Sequence, residues 1–256
     1  VVSLIIDAFS PHIKSLTRAI ELSGGRLAGM FFGPLVASRA VLSKKQKELG
    51  VALIDIGAGT TGLSVYEENK LVGVAKFPVG AANVSNDLAI GLKIPVSAAE
   101  ELKLDVGCAV AREINAKELV DMKKFSPEAK GTIQRRFIAE IIEDRLAEIF
   151  EFVNNELKVL GKAGQLPGGA VLVGGGANMP GITELSTQKL KLSSQIGSPL
   201  SEEWVIESAK LSESFEDPGF AGALGLVLGG SDEERWKPAV SSSGFKLGNL
   251  LRFLNP

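Results

Sequence analysis

One stretch decides the fold, ALIDIGAGTTGLSVYE at residues 52–67, where an apolar run enters a turn of very small residues and leaves it as an alternating strand. Glycines without a Cβ atom let backbone N–H groups approach an anion, and threonine hydroxyls add donors. A carboxylate just before such a turn suits Mg²⁺, which keeps several water ligands. The stretch is therefore either a phosphate cradle or a tight hairpin whose glycines serve the turn alone. Its candidate ligands are Asp55, Gly57, Ala58, Gly59, Thr60 and Thr61.

A second strand-to-glycine element lies at residues 171–178, VLVGGGAN. Three glycines at a strand end allow a flat ring or a ribose to lie on the backbone, although a simple turn uses the same residues. Two such elements in one chain predict a cleft with one wall for phosphate and the other for a nucleoside. The candidate residues of this second wall are Gly174, Gly175, Gly176 and Ala177.

The composition is that of a soluble globular protein: 256 residues, 45% apolar and 23% charged, with no apolar run of about 20 residues. A formal net charge of −2 gives no electrostatic reason to expect nucleic acid as a partner. The single cysteine, Cys108, excludes an internal disulfide and fits a reducing, cytosolic compartment.

Apolar periodicity and turn residues predict the remaining elements. β-type runs are expected at the N-terminus, a hairpin turn at EENK, and one long helix in the middle of the chain. In chain order the expected elements are strands at 3–9 and 27–32, a helix at 35–42, strands at 62–66 and 71–77, a helix from a cap at Asn83 or Ser85 through Leu92, a short helix near 97–107, weak strands at 106–114, a helix from about 131 to 160 and a small-residue helix at 218–229.

The order of these motifs resembles the FtsA family of bacterial cell-division proteins, within the actin/Hsp70 ATPase superfamily. Residues 55–61 are similar to its second phosphate loop, and residues 173–177 to its adenosine motif. Three further segments extend the resemblance over nearly the whole chain: FPVGAANVSNDLAIGL, SAAEELKLDVGCA and IQRRFIAEIIEDRLAEIFEFVNNEL.

The resemblance implies an α/β, actin-like ATPase (ribonuclease H-like) fold: a large C-terminal lobe with an inserted smaller subdomain, plus the tail of the preceding subdomain. The boundaries that follow are 1–47 for the preceding subdomain and connecting helix, 48–93 and 166–230 for the nucleotide-binding subdomain, 94–165 for the inserted subdomain, 231–244 for a linker and 245–256 for an amphipathic helix.

The same resemblance implies ATP and Mg²⁺ as cofactors. Asp55 would organise Mg²⁺ through water, residues 57–61 would hold the β- and γ-phosphates, and residues 174–177 would carry adenosine. Gly80 would approach the nucleotide in the cleft. No catalytic residue is assigned.

Three departures from the family qualify that expectation. The phosphate loop commonly continues with Asp where this chain has Gly62, and residues 32–35 lack the Glu or Gln that positions water in many superfamily ATPases. Hydrolysis is therefore expected to be slow, and whether the chain is an enzyme is left open, with a weak ATPase as the upper bound. No first phosphate loop precedes residue 51, so the chain is expected to be the C-terminal part of a longer protein.

The last segment, FKLGNLLRFLNP, has leucines at helical spacing and basic residues beside them. It suits either an interfacial membrane anchor or a helix docked on the protein's own core; the resemblance implies the anchor. The candidate membrane-binding residues are Phe245, Leu247, Leu250, Leu251, Phe253 and Leu254.

As a family resemblance, the pattern implies a cell-division protein at the cytoplasmic face of the inner membrane, at the septum. Its expected partners are FtsZ, further copies of itself in a polymer, the membrane surface and downstream divisome proteins, with no nucleic acid. Two alternatives stay open at this point. One is an active superfamily ATPase or sugar kinase, and the other is a pilus-assembly adaptor of the PilM type.

Overall fold

A computed structural model describes residues 5–126, 129, 131–199 and 215–231. The chain forms two compact units, one of residues 7–30 and 229–256 and the other of residues 1–6 and 31–228. In the first unit the described residues contain helix α1 (Ser10–Leu22), which has a proline in its first turn. The strands expected at 3–9 and 27–32 are wrong, because the described residues 5–9 and 27–32 carry no strand.

The larger unit is built on a five-stranded sheet in which the first strand of the quoted stretch lies at the centre. That strand pairs antiparallel with the strand after the glycine turn and parallel with the strand that precedes the second glycine element. Both glycine turns consequently lie at the same end of the strands, next to each other. The strands, in spatial order, are β3 (Lys70–Phe77), β2 (Thr61–Glu67), β1 (Val51–Ile56), β6 (Ala170–Val173) and β7 (Ser194–Ile196).

Helices cover both faces of this sheet. Alternate residues of β1 pack into two different buried clusters, because successive side chains of a strand point to opposite faces. The cluster with Val51 and Leu53 includes α2 residues, and the cluster with Ile54 and Ile56 includes α4 and α6 residues. The helices are α2 (Gly33–Val41), α3 (Lys44–Leu49), α4 (Ala81–Leu92), α5 (Val96–Val106), α6 (Arg135–Val159), α7 (Ile182–Leu190) and α8 (Ala221–Ser231), of which α8 ends in the other unit.

Helix α6 confirms the long amphipathic helix, with eight buried residues along one stripe. It begins at Arg135 rather than near residue 131, because β5 (Thr132–Gln134) pairs with β4 (Leu119–Asp121). The weak strands expected at 106–114 are wrong: this segment has no strand and contains a short 3₁₀ turn, Ala111–Glu113.

Helix α4 begins earlier than expected, at Ala81, and its N-cap is Gly80 rather than Asn83 or Ser85. The Asn83 side chain instead accepts a hydrogen bond from the Gly80 N–H at 3.0 Å, so it secures the cap from inside the first turn. Among the described residues no helix combines the length and the hydropathy needed to span a bilayer.

Candidate functional site

The turn after β1 is closed by its own backbone. The Gly57 N–H donates to the Thr60 carbonyl at 2.9 Å, within the four residues that connect β1 to β2. The Thr61 side chain is fully buried, and its hydroxyl donates to the Val79 carbonyl at 2.8 Å. The structure therefore does not bring the Thr61 hydroxyl to the surface of the turn. That hydroxyl holds the segment that leads into α4.

The first turn of α4 orients the peptide groups of the glycine turn. The Ala81 N–H donates to the Gly57 carbonyl at 2.9 Å, and the Ala82 N–H donates to the Ala58 carbonyl at 2.8 Å. In a trans peptide the C=O and the following N–H point in opposite directions. The N–H groups of Ala58 and Gly59 therefore point away from α4, and both residues are exposed.

Gly80 has to be glycine for steric reasons. A Cβ atom at this position would overlap the carbonyl oxygens of Gly57 and Ala58, although the extended φ of −157° suits any residue. The absence of a side chain thus lets α4 approach the turn closely enough to form the two backbone hydrogen bonds.

The second glycine element forms the adjoining wall. Gly174 has a φ of +85°, and a Cβ there would lie 2.5 Å from the Asp55 Oδ1 atom and 2.5 Å from the Ile56 carbonyl oxygen. Gly176 is equally tight, because its Cβ would overlap the Ile56 side chain. The structure therefore brings the two predicted glycine elements into direct contact. Gly175, between these residues, is exposed.

A cleft of about 400 Å³ opens between the two elements and three helices of the same unit. Its walls are mostly apolar, and its polar side chains come from α5 and from the turn after β6. The cleft is lined by Ala58, Ala81, Ala82, Val84, Glu100, Lys103, Leu104, Leu146, Gly175, Gly176, Asn178, Met179 and Pro180.

Two residues of α5 form the charged part of this lining, and sequence reasoning missed both. Lys103 is only 6% exposed, and its Nζ donates to the Glu100 Oε2 at 2.7 Å and to the Ala81 carbonyl at 3.3 Å. Glu100 also accepts a hydrogen bond from the Ser85 hydroxyl. Hydrogen bonds with Lys103 and Ser85 lower the pKa of Glu100 despite its partial burial, so the carboxylate is held ionised. The only sequence signal was the spacing of three residues, which puts both side chains on one helix face.

Asp55 is partly buried near the C-terminal end of β1, where both glycine elements begin. Burial raises the pKa of its carboxyl, and the positive charge of Lys76 partly offsets that rise. Within the described ranges no cluster of three acidic, histidine or cysteine side chains could hold a metal ion. A single carboxylate beside open backbone nevertheless fits Mg²⁺, which needs few protein ligands.

Two long-range hydrogen bonds, together called the clasp, hold the second wall in place, and the sequence analysis did not predict them. The Gly174 N–H donates to the Pro218 carbonyl at 2.9 Å, and the Asn178 side-chain amide donates to the Asp217 Oδ1 at 2.9 Å. These partners are about 40 residues apart in sequence. Local pattern gave no indication of the contact, and helix α8 starts directly after it.

Gly62 stands where the family commonly has Asp, and a residue of α2 fills the space that such a side chain would need. A Cβ atom at Gly62 would lie 2.5 Å from the Cγ atom of Pro34, which is buried in the first turn of α2. With α2 in this position, the side chain that is common in the family at this point has no space. The candidate membrane-binding residues Phe245, Leu247, Leu250, Leu251, Phe253 and Leu254 lie outside the described residues.

A mixed sheet with two glycine turns at one edge, covered by helices and opening on a cleft, defines the class of actin-like ATPase folds. The solved structure of MreB5 of Spiroplasma citri bound to ADP is similar, with a TM-score of 0.66. It is 18% identical, and the match covers 86% of this chain and 65% of that chain. This likeness confirms the predicted fold class.

Within that class, residues 52–225 match the family described as cell division protein FtsA, and the chain belongs to this family. It is 37% identical over 195 residues to FtsA of Bacillus subtilis, covering 76% of this chain and 44% of the relative. It is 29% identical over 231 residues to FtsA of Pseudomonas aeruginosa, covering 90% of this chain and 54% of the relative. The chain thus spans about half the length of these relatives. The predicted family is confirmed.

Proposed function

We propose that the cleft binds ATP with Mg²⁺. The observation that supports this most directly is the meeting of the two glycine elements at a cleft of about 400 Å³, where close approach requires glycine at Gly80, Gly174 and Gly176. The N–H groups of the exposed residues Ala58 and Gly59 suit phosphate. The glycines at 174–176 would carry the nucleoside, with Gly175 exposed at the surface and Ala177 buried behind it. Asp55 would hold Mg²⁺ through water, and the metal would neutralise phosphate charge.

Gly80 and Thr61 have supporting roles in this proposal. Gly80 permits the contact between α4 and the turn, and the Thr61 hydroxyl fixes the segment before Gly80. The ionised Glu100 would accept hydrogen bonds from ribose hydroxyl groups, and the apolar wall that includes Leu104 and Met179 would contact the base.

Binding is tested by titrating the full chain with a fluorescent ATP analogue in Mg²⁺, with unlabelled ATP, ADP and GTP as competitors. The Gly175→Val variant is the matched probe, because Gly175 is exposed and has open space around its Cα atom. We expect the variant to fold like the wild type and to lose nucleotide affinity. Absence of saturable ATP binding to the wild-type chain would refute the proposal.

We further propose that the chain acts in cell division as an FtsA-type protein that polymerises, binds FtsZ and tethers it to the cytoplasmic membrane at the division site through residues 245–256. Membership of the FtsA family supports this over a PilM-type adaptor or a sugar kinase. The leucine spacing and basic residues of the tail support the membrane contact. Contact with downstream divisome proteins belongs to the same proposal, as do the domain boundaries stated above.

Hydrolysis in this proposal is slow. The first turn of α2 has Pro34 over Gly62 and carries no Glu or Gln, so neither residue supplies a side chain that orients water. ATP would then serve assembly more than turnover. ATP-dependent pelleting of the chain, with phosphate release measured in the same samples, tests this point. Rapid release without any pelleting would contradict it.

Membrane tethering is tested by flotation with vesicles containing anionic lipid. We expect the full chain to float, and both a deletion of 245–256 and a double variant, Leu250→Glu with Leu251→Glu, to stay at the bottom. Asn249→Ser is the matched control on the polar side of the same segment. Addition of FtsZ should bring FtsZ to the vesicles only with the wild type and the control. Unchanged flotation of the deletion variant would overturn the tether.

A further inference from the structure

The strand register aligns three residues in one row across β1, β2 and β3, near the end of the strands where the glycine turns lie. Asp55 on β1 is opposite Gly62 on β2, and Gly62 is opposite Lys76 on β3. Directly opposed residues of antiparallel strands place their side chains on the same face. Since Gly62 has no side chain, the ring of Pro34 lies against the backbone between Asp55 and Lys76.

The face of Lys76 follows from its neighbours. Ala75 and Phe77 pack against the cluster on the α6 side, so the residue between them points to the opposite face, the side of α2. The hydroxyl of Ser64, two residues after Gly62 on β2, confirms that face, because it donates to the Pro34 carbonyl at 3.3 Å.

The Lys76 ammonium is exposed, and no ion pair or side-chain hydrogen bond joins it to another described residue. Burial raises the pKa of the Asp55 carboxyl, and the positive charge of Lys76 partly offsets that rise. A lysine on an edge strand also has a plain role, since charge discourages edge-to-edge pairing. That role does not require alignment with the carboxylate beside the glycine turn.

We infer that Lys76 binds the terminal phosphate oxygens of a nucleoside di- or triphosphate whose phosphate chain leaves the cleft and crosses the glycine turn. The phosphates would lie on the side of the turn away from α4, to which the backbone N–H groups of Ala58 and Gly59 point. The inference rests on the proposed nucleotide function and adds a residue that no glycine motif contains. Phosphate brought next to Asp55 meets a like charge, and the structure supplies Lys76 as a cation in the same row. Metal and ammonium would then share the neutralisation of phosphate.

The experiment compares the wild-type chain with Lys76→Met and with Lys70→Met. Lys70 lies at the far end of the same strand, where it pairs with exposed Glu68 at 3.2 Å, and so it is the matched control. Dissociation constants for ATP, ADP and adenosine are measured in excess Mg²⁺ and in EDTA. Thermal unfolding of each variant shows that the fold is intact.

We expect K76M to bind ATP about tenfold more weakly in EDTA, with a smaller loss in Mg²⁺ because the metal then neutralises the same charge. Adenosine affinity should be unchanged, and K70M should match the wild type throughout. Equal ATP affinity of K76M and wild type in EDTA would overturn the inference and leave the proposed function standing. If the wild type bound no nucleotide at all, both would fail. An equal loss with K70M would assign the effect to general surface charge and would also overturn it.

Discussion

The approach of α4 to the glycine turn predicts a large cost for one methyl group. In a Gly80→Ala variant the new Cβ overlaps two carbonyl oxygens that accept hydrogen bonds from Ala81 and Ala82. Backbone strain does not contribute, because a φ of −157° suits alanine. Either the turn moves away, which loses two hydrogen bonds of about 1 kcal/mol each, or it stays overpacked at about 1–3 kcal/mol.

Both routes give a loss of about 2 kcal/mol in the free energy of unfolding. For a unit of this size that lowers Tm by about 4–8 °C. The control is Gly59→Ala, because a Cβ at Gly59 would meet nothing within 4 Å. Circular dichroism melts of the three chains measure the difference. A Tm for Gly80→Ala within about 1 °C of wild type, or an equal drop for Gly59→Ala, would refute the steric reasoning.

Three further predictions concern other contacts of the larger unit. Gly225→Ala should destabilise by about 2 kcal/mol in urea melts, since its Cβ would overlap the Val36 carbonyl, whereas Gly222→Ala on the same helix should be neutral or stabilising. Burial raises the pKa of Asp55, so ionisation of this carboxyl opposes folding. In melts without ligand, Asp55→Asn should exceed wild type in stability at neutral pH, and the difference should vanish as the pH falls through the raised pKa towards that of an ordinary aspartate. Lys103→Met should weaken ATP and adenosine binding alike, by about tenfold in titrations, because it removes the cation that orients Glu100 at the nucleoside end; a loss confined to ATP would contradict this placement.

The local features of the fold could be predicted from sequence because each depends on the residue pattern of one short segment. The three antiparallel strands from Val51 to Phe77 and the long helix α6 have periodicities that tertiary contacts did not override. The strands expected at 3–9 and 27–32 had suitable residues, but strand formation needs a partner, and periodicity does not report one. β7 (Ser194–Ile196) escaped notice for the opposite reason, since three residues are too few for a pattern while β6 provides the pairing.

The site divides in the same way. The glycine runs after β1 and β6 predicted both walls from sequence, and at Gly174 and Gly176 a side chain has no space. Lys103 could not be identified, since a lysine on a helix is ordinarily exposed, and its burial depends on α4, whose Ala81 carbonyl accepts a hydrogen bond from it. The clasp at Asp217 depends on a contact across 39 residues, which no local window contains.

The walls of the cleft are made of backbone at the positions where they meet, and this has a consequence for mutational tolerance. Gly80, Gly174 and Gly176 each face atoms less than 3 Å from the position of a Cβ, so the smallest possible side-chain change, to alanine, is already too large at all three. The charged and apolar side chains of the lining can be replaced by others, provided that those three positions remain glycine. In a library that varies every residue of the cleft, these three glycines should therefore be the least replaceable, and the tolerated substitutions should accumulate on α5, where side chains rather than backbone form the surface.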